Sequence, residues 1–263
     1  MSNNTKTALI TGASSGIGAA FARLLAANGY LPMLVARRQA KLQALAEELA
    51  QKHSVTAEVL VADLSEPHDV ASIEERIRAL PCLDMLVNNA GFGTMGFFAQ
   101  VDLDKHLEMI NVHVIANVRL THAALPGMIA RKRGGIINVS SGSAYLAMPN
   151  AVTYCATKRY LITFAEGLAK ELTNTGVRVL TVCPGFTYTE FHDTQEFQNF
   201  NRTDIAKGLW MSADDVVKES LAALDSGRPV FIPGRRNRLL LGLQRTLLGP
   251  ILLSMLAKKR WKK

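Results

Sequence analysis

The chain has 263 residues, 48% of them hydrophobic, with 30 Lys and Arg against 22 Asp and Glu for a formal net charge of +8. That length and apolar content suffice for a sizeable core and exclude disorder for the bulk. The charge is local: residues 234–263 hold nine basic residues and no acidic one, so the first 233 carry a net −1 and lack the basic face of a nucleic-acid binder. Cys82, Cys155 and Cys183 are odd in number and without metal-ligand spacing, which points to packing in a reducing cytoplasm rather than to disulfides or zinc. The first residues, MSNNTKTALI, lack the charged and apolar regions of a signal peptide, so export by that route is not expected.

Short aliphatic runs alternate with longer segments of helical period, and strands are predicted at 7–11, 33–36, 56–61, 85–88, 135–140, 177–182 and 229–232. Near-continuous apolar strands joined by crossover helices suit a parallel sheet covered on both faces. Pro32 is expected just before the second strand, where a missing N–H is tolerated. The first strand runs into a helix through Gly12, Ser14, Ser15, Gly16, Ile17 and Gly18, a turn whose backbone N–H groups can approach a pyrophosphate at a helix N-terminus. After the second strand stand Arg37 and Arg38, where an NAD-binding fold would place an acidic residue. A guanidinium there pairs with a ribose 2′-phosphate, which predicts NADP(H). A solvated pair opening the next helix is the plainer reading, but cations at that end oppose the helix dipole.

Further along come Asp63 and Leu64 after the third strand, and Asn89, Ala90 and Gly91 after the fourth. Asn111 lies in a helical segment, where asparagine is mildly unfavourable. Ser141 follows the fifth strand at the sheet edge where doubly wound folds bind ligands; strand alternation separates it from Ser140, and Ser143 is its other neighbour. Tyr154 and Lys158 are four apart on one helix and so share a face. A phenol of pKa ~10 needs help to act near neutrality, and an adjacent ammonium can supply it. Pro184, Gly185, Thr187 and Thr189 follow the sixth strand and open a long segment, 185–206, rich in Phe186, Tyr188, Phe191, Phe197 and Phe200. A helix is predicted from about Ser212.

TGASSGIG after the first strand, with Asp63, the Asn-Asn-Ala-Gly at 88–91, Asn111, Ser141, Tyr-x-x-x-Lys and Pro184-Gly185 with Thr189, resembles the short-chain dehydrogenase/reductase family over about residues 5–233. The resemblance implies a single doubly wound Rossmann domain (1–233) with a seven-stranded parallel sheet, followed by a basic, apolar C-terminal extension (234–263). It also implies hydride transfer between NADP(H) and a carbonyl or secondary alcohol. Tyr154 would be the general acid or base, Ser141 would stabilise the oxyanion, Lys158 would hold the nicotinamide ribose, and Asn111 would hold a water that connects Lys158 to solvent. Asp63 would take the adenine amino group, and Asn89 and Gly91 would line the adenosine ribose.

The aromatic segment predicts a lid over an apolar site, hence a small hydrophobic carbonyl or alcohol substrate, and the sequence looks like the branch with 3-oxoacyl thioester and hydroxysteroid reductases. His192, in that segment, reads as a bystander, and Cys155 and Cys183 as packing. A catalytically silent NADP(H) sensor or scaffold is the other class of reading. The family implies a homodimer or homotetramer. Residues 239–257 are almost wholly apolar, broken by Gln244, Arg245, Gly249 and Pro250. They could dock as a helix, lie in an anionic membrane interface or span a bilayer, so the expected location is cytoplasmic with membrane contact through the tail left open.

Overall fold

In a computed structural model, which describes residues 6–198 and 200–244, the aliphatic runs become seven parallel strands of one sheet. In chain order the main strands are β1 (Lys6–Thr11), β2 (Tyr30–Ala36), β3 (Glu58–Val61), β4 (Met85–Asn88), β5 (Gly134–Val139), β6 (Val177–Val182) and, after a small ribbon of β7 (Thr187–Tyr188) with β8 (Met211–Ser212), β9 (Val230–Phe231). Their spatial order is β3-β2-β1-β4-β5-β6-β9, all parallel. The order reverses between β1 and β4, so a crevice opens beyond their carboxyl ends, where ligands bind in folds of this kind.

Strand alternation assigns the two core layers. Ala8, Ile10, Leu34, Val87, Ile137 and Leu180 face one side and meet Phe21 and Leu25 of α1 (Gly16–Ala27), Leu42 of α2 (Gln39–His53) and Val216 of α7 (Ala213–Leu224). Leu9, Met33, Leu86, Ile136 and Val179 face the other side. There they meet Val70 and Ile73 of α3 (Pro67–Arg78), Leu120 of α5 (Ala116–Ala130) and Ala165 of α6 (Val152–Glu171). Each such Leu or Ile, fully buried, contributes roughly 1.5–3 kcal/mol.

β2 starts three residues earlier than predicted and contains Pro32, paired with Ala8 of β1. The strand tolerates it because pairing with β3 begins only at Met33. Between α4 (Leu103–Ile110) and α5, residues Asn111–Ile115 form one π-helical turn, with Ala116 N–H donating to the Asn111 carbonyl. Asn111 thus begins a break in a long helix rather than sitting in its middle. The predicted helix near Ser212 is α7, capped by the Ser212 hydroxyl, which accepts from Asp215 N–H at 3.0 Å.

Part of the expected tail belongs to the fold. Arg235–Gln244 form α8, with Asn237 and Leu241 buried. Leu241 abuts Gly142, where an added Cβ would stand 3.1 Å from its Cδ1. Arg238 donates to Glu219 and to the Ile232 carbonyl. Residues 245–263, with Arg245, Gly249 and Pro250, lie outside the described residues; among those described, no helix is long and apolar enough to cross a membrane.

Candidate active site

The turn after β1 is built for close approach. Gly12 and Gly16 adopt φ of +65° and +55°, where a Cβ is strained. A Cβ on Gly18 would strike the Gly12 carbonyl and come within 2.5 Å of Asn89 Nδ2. The turn is tied to the end of β4 from both directions. Asn89 Nδ2 donates to the carbonyls of Thr11 (2.9 Å) and Gly12 (3.2 Å), while the Thr11 hydroxyl accepts from the N–H groups of Asn89 (2.9 Å) and Ala90 (3.0 Å). Asn89 is therefore committed to shaping the turn. Ile17 packs on the first core layer and Leu64 is buried in the second, so a ligand would meet mainly their backbone.

The two arginines diverge. Arg38 turns to the glycine loop, donating to Ser14 Oγ (3.1 and 2.9 Å) and Ser15 Oγ (2.7 Å), and its Nη1 pairs with Glu190 at 2.8 Å. Lys41, one turn further along α2, reaches the other Glu190 oxygen at 2.5 Å. Arg37 instead faces Asp63 (3.3 Å) and Glu108 (3.5 Å). Burial raises the Asp63 carboxyl, but hydrogen bonds from Ser65 and the Arg37 charge outweigh it, so its pKa is lowered and it stays an ionised acceptor. Two cations and two serine hydroxyls converging beside a glycine turn fit a phosphorylated ribose, and Asp63 fits an amino group.

At the ends of β4 and β5 the second cluster assembles. Burial pushes the Tyr154 phenol up to about 12, opposed by hydrogen bonding with Ser141 and Ser143. Ser143 donates to Ser141 Oγ through both its N–H (3.2 Å) and its hydroxyl (2.8 Å). With both acceptor positions filled, the Ser141 hydroxyl hydrogen is free to donate. Ser140 turns away, donating to the Lys158 carbonyl at 2.6 Å. Lys158 is buried and lowered to about 8 by desolvation; its Nζ donates to the Val139 carbonyl at 3.0 Å and stands 5.8 Å from the Tyr154 ring centroid. The hydroxyls, not the ammonium, act directly on the phenol here. Gly91 is needed below this pair, because a Cβ there would lie 2.8 Å from His113 Nε2 and 3.2 Å from Lys158 Nζ. Asn111 Nδ2 donates to the Ser65 carbonyl at 3.3 Å, joining the π-helical turn to the loop after β3.

Residues after β6 cover the crevice. The Pro184 carbonyl accepts from Gly142 N–H at 2.7 Å, a Cβ on Gly185 would lie 2.6 Å from Asn237 Nδ2, and the Thr187 hydroxyl donates to the Gly185 carbonyl. Thr189 lies on the glycine turn, its side chain 3.0 Å from where a Gly16 Cβ would stand. Of the aromatic residues, Phe191 meets the Tyr154 ring (5.9 Å), and Phe191 and Phe197 close over Gly93. Phe186, Tyr188, Phe200 and Trp210 pack on one another around His192, which stacks on Phe200 at 4.5 Å. Burial and Arg202 keep that imidazole neutral, so it serves the lid's own packing. The Cys155 and Cys183 thiols are raised by burial, Cys183 to about 12, and are inert.

The short chain dehydrogenase family model matches residues 6–199. The chain belongs to this family. Its relatives include the human inactive hydroxysteroid dehydrogenase-like protein 1 (Homo sapiens), 33% identical over 193 residues, 72% of this chain and 58% of that protein. The chain thus spans a little over half the length of that relative. A short-chain dehydrogenase from Sphingobium yanoikuyae in complex with NADPH superposes with a TM-score of 0.81 at 31% identity, covering 97% of this chain and 94% of the other. A bulky-bulky ketone specific alcohol dehydrogenase from Comamonas testosteroni gives 0.78 at 28%, covering 99% and 95%.

Several residues carry the site without having been singled out in the sequence. Thr11 clamps the glycine turn, and Lys41 joins Arg38, a pairing readable from their i, i+3 spacing at the start of a helix. His113 is buried beside Tyr154: Nε2 accepts from Phe92 N–H at 3.1 Å, so Nδ1 carries the hydrogen toward Thr157 Oγ1 at 2.9 Å, and that hydroxyl donates to the Tyr154 carbonyl. Burial, and then Lys158, hold His113 well below the usual imidazole range, hence neutral.

Proposed function

We propose that this chain is an NADP(H)-dependent oxidoreductase that interconverts a carbonyl and a secondary alcohol on a hydrophobic, bulky substrate. The observation that carries the reading is Tyr154, protonated by burial and hydrogen-bonded with Ser141, at the same sheet edge as a glycine turn flanked by Arg38 and Lys41. The NADPH complex of the Sphingobium relative supports the cofactor, and the bulky-ketone preference named for the Comamonas enzyme supports the substrate class. Phe191 and Phe197 offer an apolar wall beside Tyr154.

Gly12, Gly16, Gly18, Ser14, Ser15 and Arg38 would hold the phosphates, Arg37 and Asp63 the adenosine end, and Lys158 the nicotinamide ribose with the donors that Val139 leaves over. When bound, the cofactor supplies or accepts the hydride. The Ser141 hydroxyl donates to the reacting oxygen as its charge grows, and Tyr154 hands its proton to that oxygen. Lys158 and a water held by Asn111 return the proton from solvent. In oxidation Tyr154 is the base.

The inactive human relative keeps a silent sensor in view, and the complete Ser141, Tyr154 and Lys158 set favours catalysis. NADPH oxidation with a panel of hydrophobic ketones, aldehydes and 3-oxoacyl thioesters separates the two. Turnover of any member supports the enzyme, whereas NADPH binding without turnover across the panel supports the sensor. Exposed Leu103, Leu107, Ile110, Ile115, Val152 and Tyr160 on α4, the π-helical turn and α6 support self-association through these helices, in the cytoplasm. The basic C-terminal residues give the assembly a means of peripheral membrane contact.

A further inference from the structure

Glu190 stands where no part of the proposed chemistry needs an acid. Its carboxylate accepts from Arg38 at 2.8 Å and from Lys41 at 2.5 Å, and Arg38 is at the same time held by Ser14 and Ser15 of the glycine loop. The acid reaches these cations from across the crevice, more than a hundred residues away in sequence, on the segment after β7. Its two neighbours extend the contact. Thr189 rests on Gly16, and Phe191 lies against the ring of Tyr154. One carboxylate therefore pins a three-residue strip across both the glycine turn and the proton donor.

We propose that Glu190 is an internal anion occupying the seat of the cofactor's 2′-phosphate, latching the lid until NADP(H) displaces it; this rests on the NADP(H) reading above. The chemistry of exchange favours displacement. A phosphate brings a second charge and three acceptor oxygens to Arg38, Lys41, Ser14 and Ser15, where Glu190 brings two oxygens and one charge. The carboxylate is half exposed, so water screens its pairs and keeps the latch weak enough to yield. Glu190 is held down to about 2 by Lys41 and Arg38, so it stays ionised throughout the working pH range. NAD(H) has no 2′-phosphate to compete for these cations and leaves the latch in place. Glu190 thereby couples cofactor identity to the uncovering of Tyr154.

The test is equilibrium binding of NADPH, NADH and adenosine 2′,5′-bisphosphate to the full-length wild-type chain and to Glu190→Gln, read by calorimetry. Glu190→Gln keeps the side-chain shape and removes the competing charge. NADPH and the bisphosphate should bind about three- to tenfold tighter to the variant, the range expected for losing two exposed ion pairs. NADH should change much less. Unchanged or weakened binding of both phosphate ligands overturns the latch, and equal tightening of NADH overturns it too, since the lid would then obstruct sterically rather than by charge. A wild-type chain that binds NADPH no better than NADH removes the cofactor reading itself, and the latch with it.

Discussion

Tyr154 and Lys158 are displaced from their free-solution behaviour in opposite directions by the same cause, burial, which disfavours the charged form of each. A phenol held neutral to about 12 is a reservoir of one proton, and Ser141 is the hydrogen-bond donor beside it. Tyr154→Phe removes the proton and little else: kcat should fall roughly 10²–10⁴-fold, the usual share of a general acid, while NADPH affinity measured by calorimetry stays unchanged. Loss of both would make Tyr154 structural. Lys158 gives a stability signature. Its folded pKa of about 8 lies below the unfolded value of ~10.4, so between these limits the unfolded chain holds the extra proton. The Lys158 contribution to the stability of the cofactor-free protein therefore climbs as pH rises from about 8 toward ~10.4, and its burial penalty is fully present below pH 8. The raised thiols of Cys183, Cys155 and Cys82 work against this from pH ~8.5, and Tyr154, raised to about 12, joins them above pH ~10. Melting curves of wild type and Lys158→Met between about pH 7.5 and 9.5 share the thiol contribution, so the Tm difference between them isolates the lysine and should shift in favour of the wild type as pH rises; a difference that stays constant with pH would refute the assignment.

Among the elements, the β1–α1 turn concentrates the constraint. The side chains of Thr11 and Asn89 make four hydrogen bonds that tie the turn to the end of β4, and Gly12 and Gly18 leave no room for a side chain between them. Gly18→Ala forces the Gly12 carbonyl or Asn89 to move, at roughly 1–3 kcal/mol for overpacking. It should lower Tm and weaken NADPH binding together. Gly167, exposed in α6 with open space where a Cβ would go, is the contrast: Gly167→Ala should raise stability by up to about 1 kcal/mol. The π-helical turn at Asn111–Ile115 has a comparable use. It opens the α4–α5 helix where His113 must reach both Phe92 and Thr157, which fixes the first turn of α6 and the phenol upon it.

At the scale of the molecule, α8 binds the C-terminal region to the catalytic loops. Leu241 abuts Gly142, next to Ser141, and Asn237 fills the space over Gly185. A chain ending at Gly234 loses both supports. It should melt lower than a chain ending at Gln244, which keeps them, by roughly the 1.5–3 kcal/mol of one buried leucine, and turn over more slowly. That longer truncation is also the proper control for liposome co-sedimentation. If the full chain pellets with anionic vesicles and the chain ending at Gln244 does not, residues 245–263 carry the membrane contact; equal pelleting assigns it elsewhere.

Much of this protein was legible in one dimension. Near-continuous aliphatic runs, a glycine turn and a Tyr-x-x-x-Lys pair depend on local geometry, so the strands, their parallel pairing through crossover helices and the placement of Tyr154 and Lys158 on one helix face follow from spacing. The sign of a charge in sequence is also local, and Arg37 and Arg38 were visible as a pair. Which of them would face the phosphate seat was not, because that depends on where the glycine loop and Glu190 lie once the sheet has closed. The same holds for Thr11 with Asn89, for His113 and for Leu241 on Gly142, each a contact between segments far apart in the chain. The tyrosine's protonation belongs to this second group. Spacing offered it an ammonium, but Lys158 turns its Nζ to the Val139 carbonyl, and burial, which exists only after packing, raises the phenol and leaves two hydroxyls as its partners.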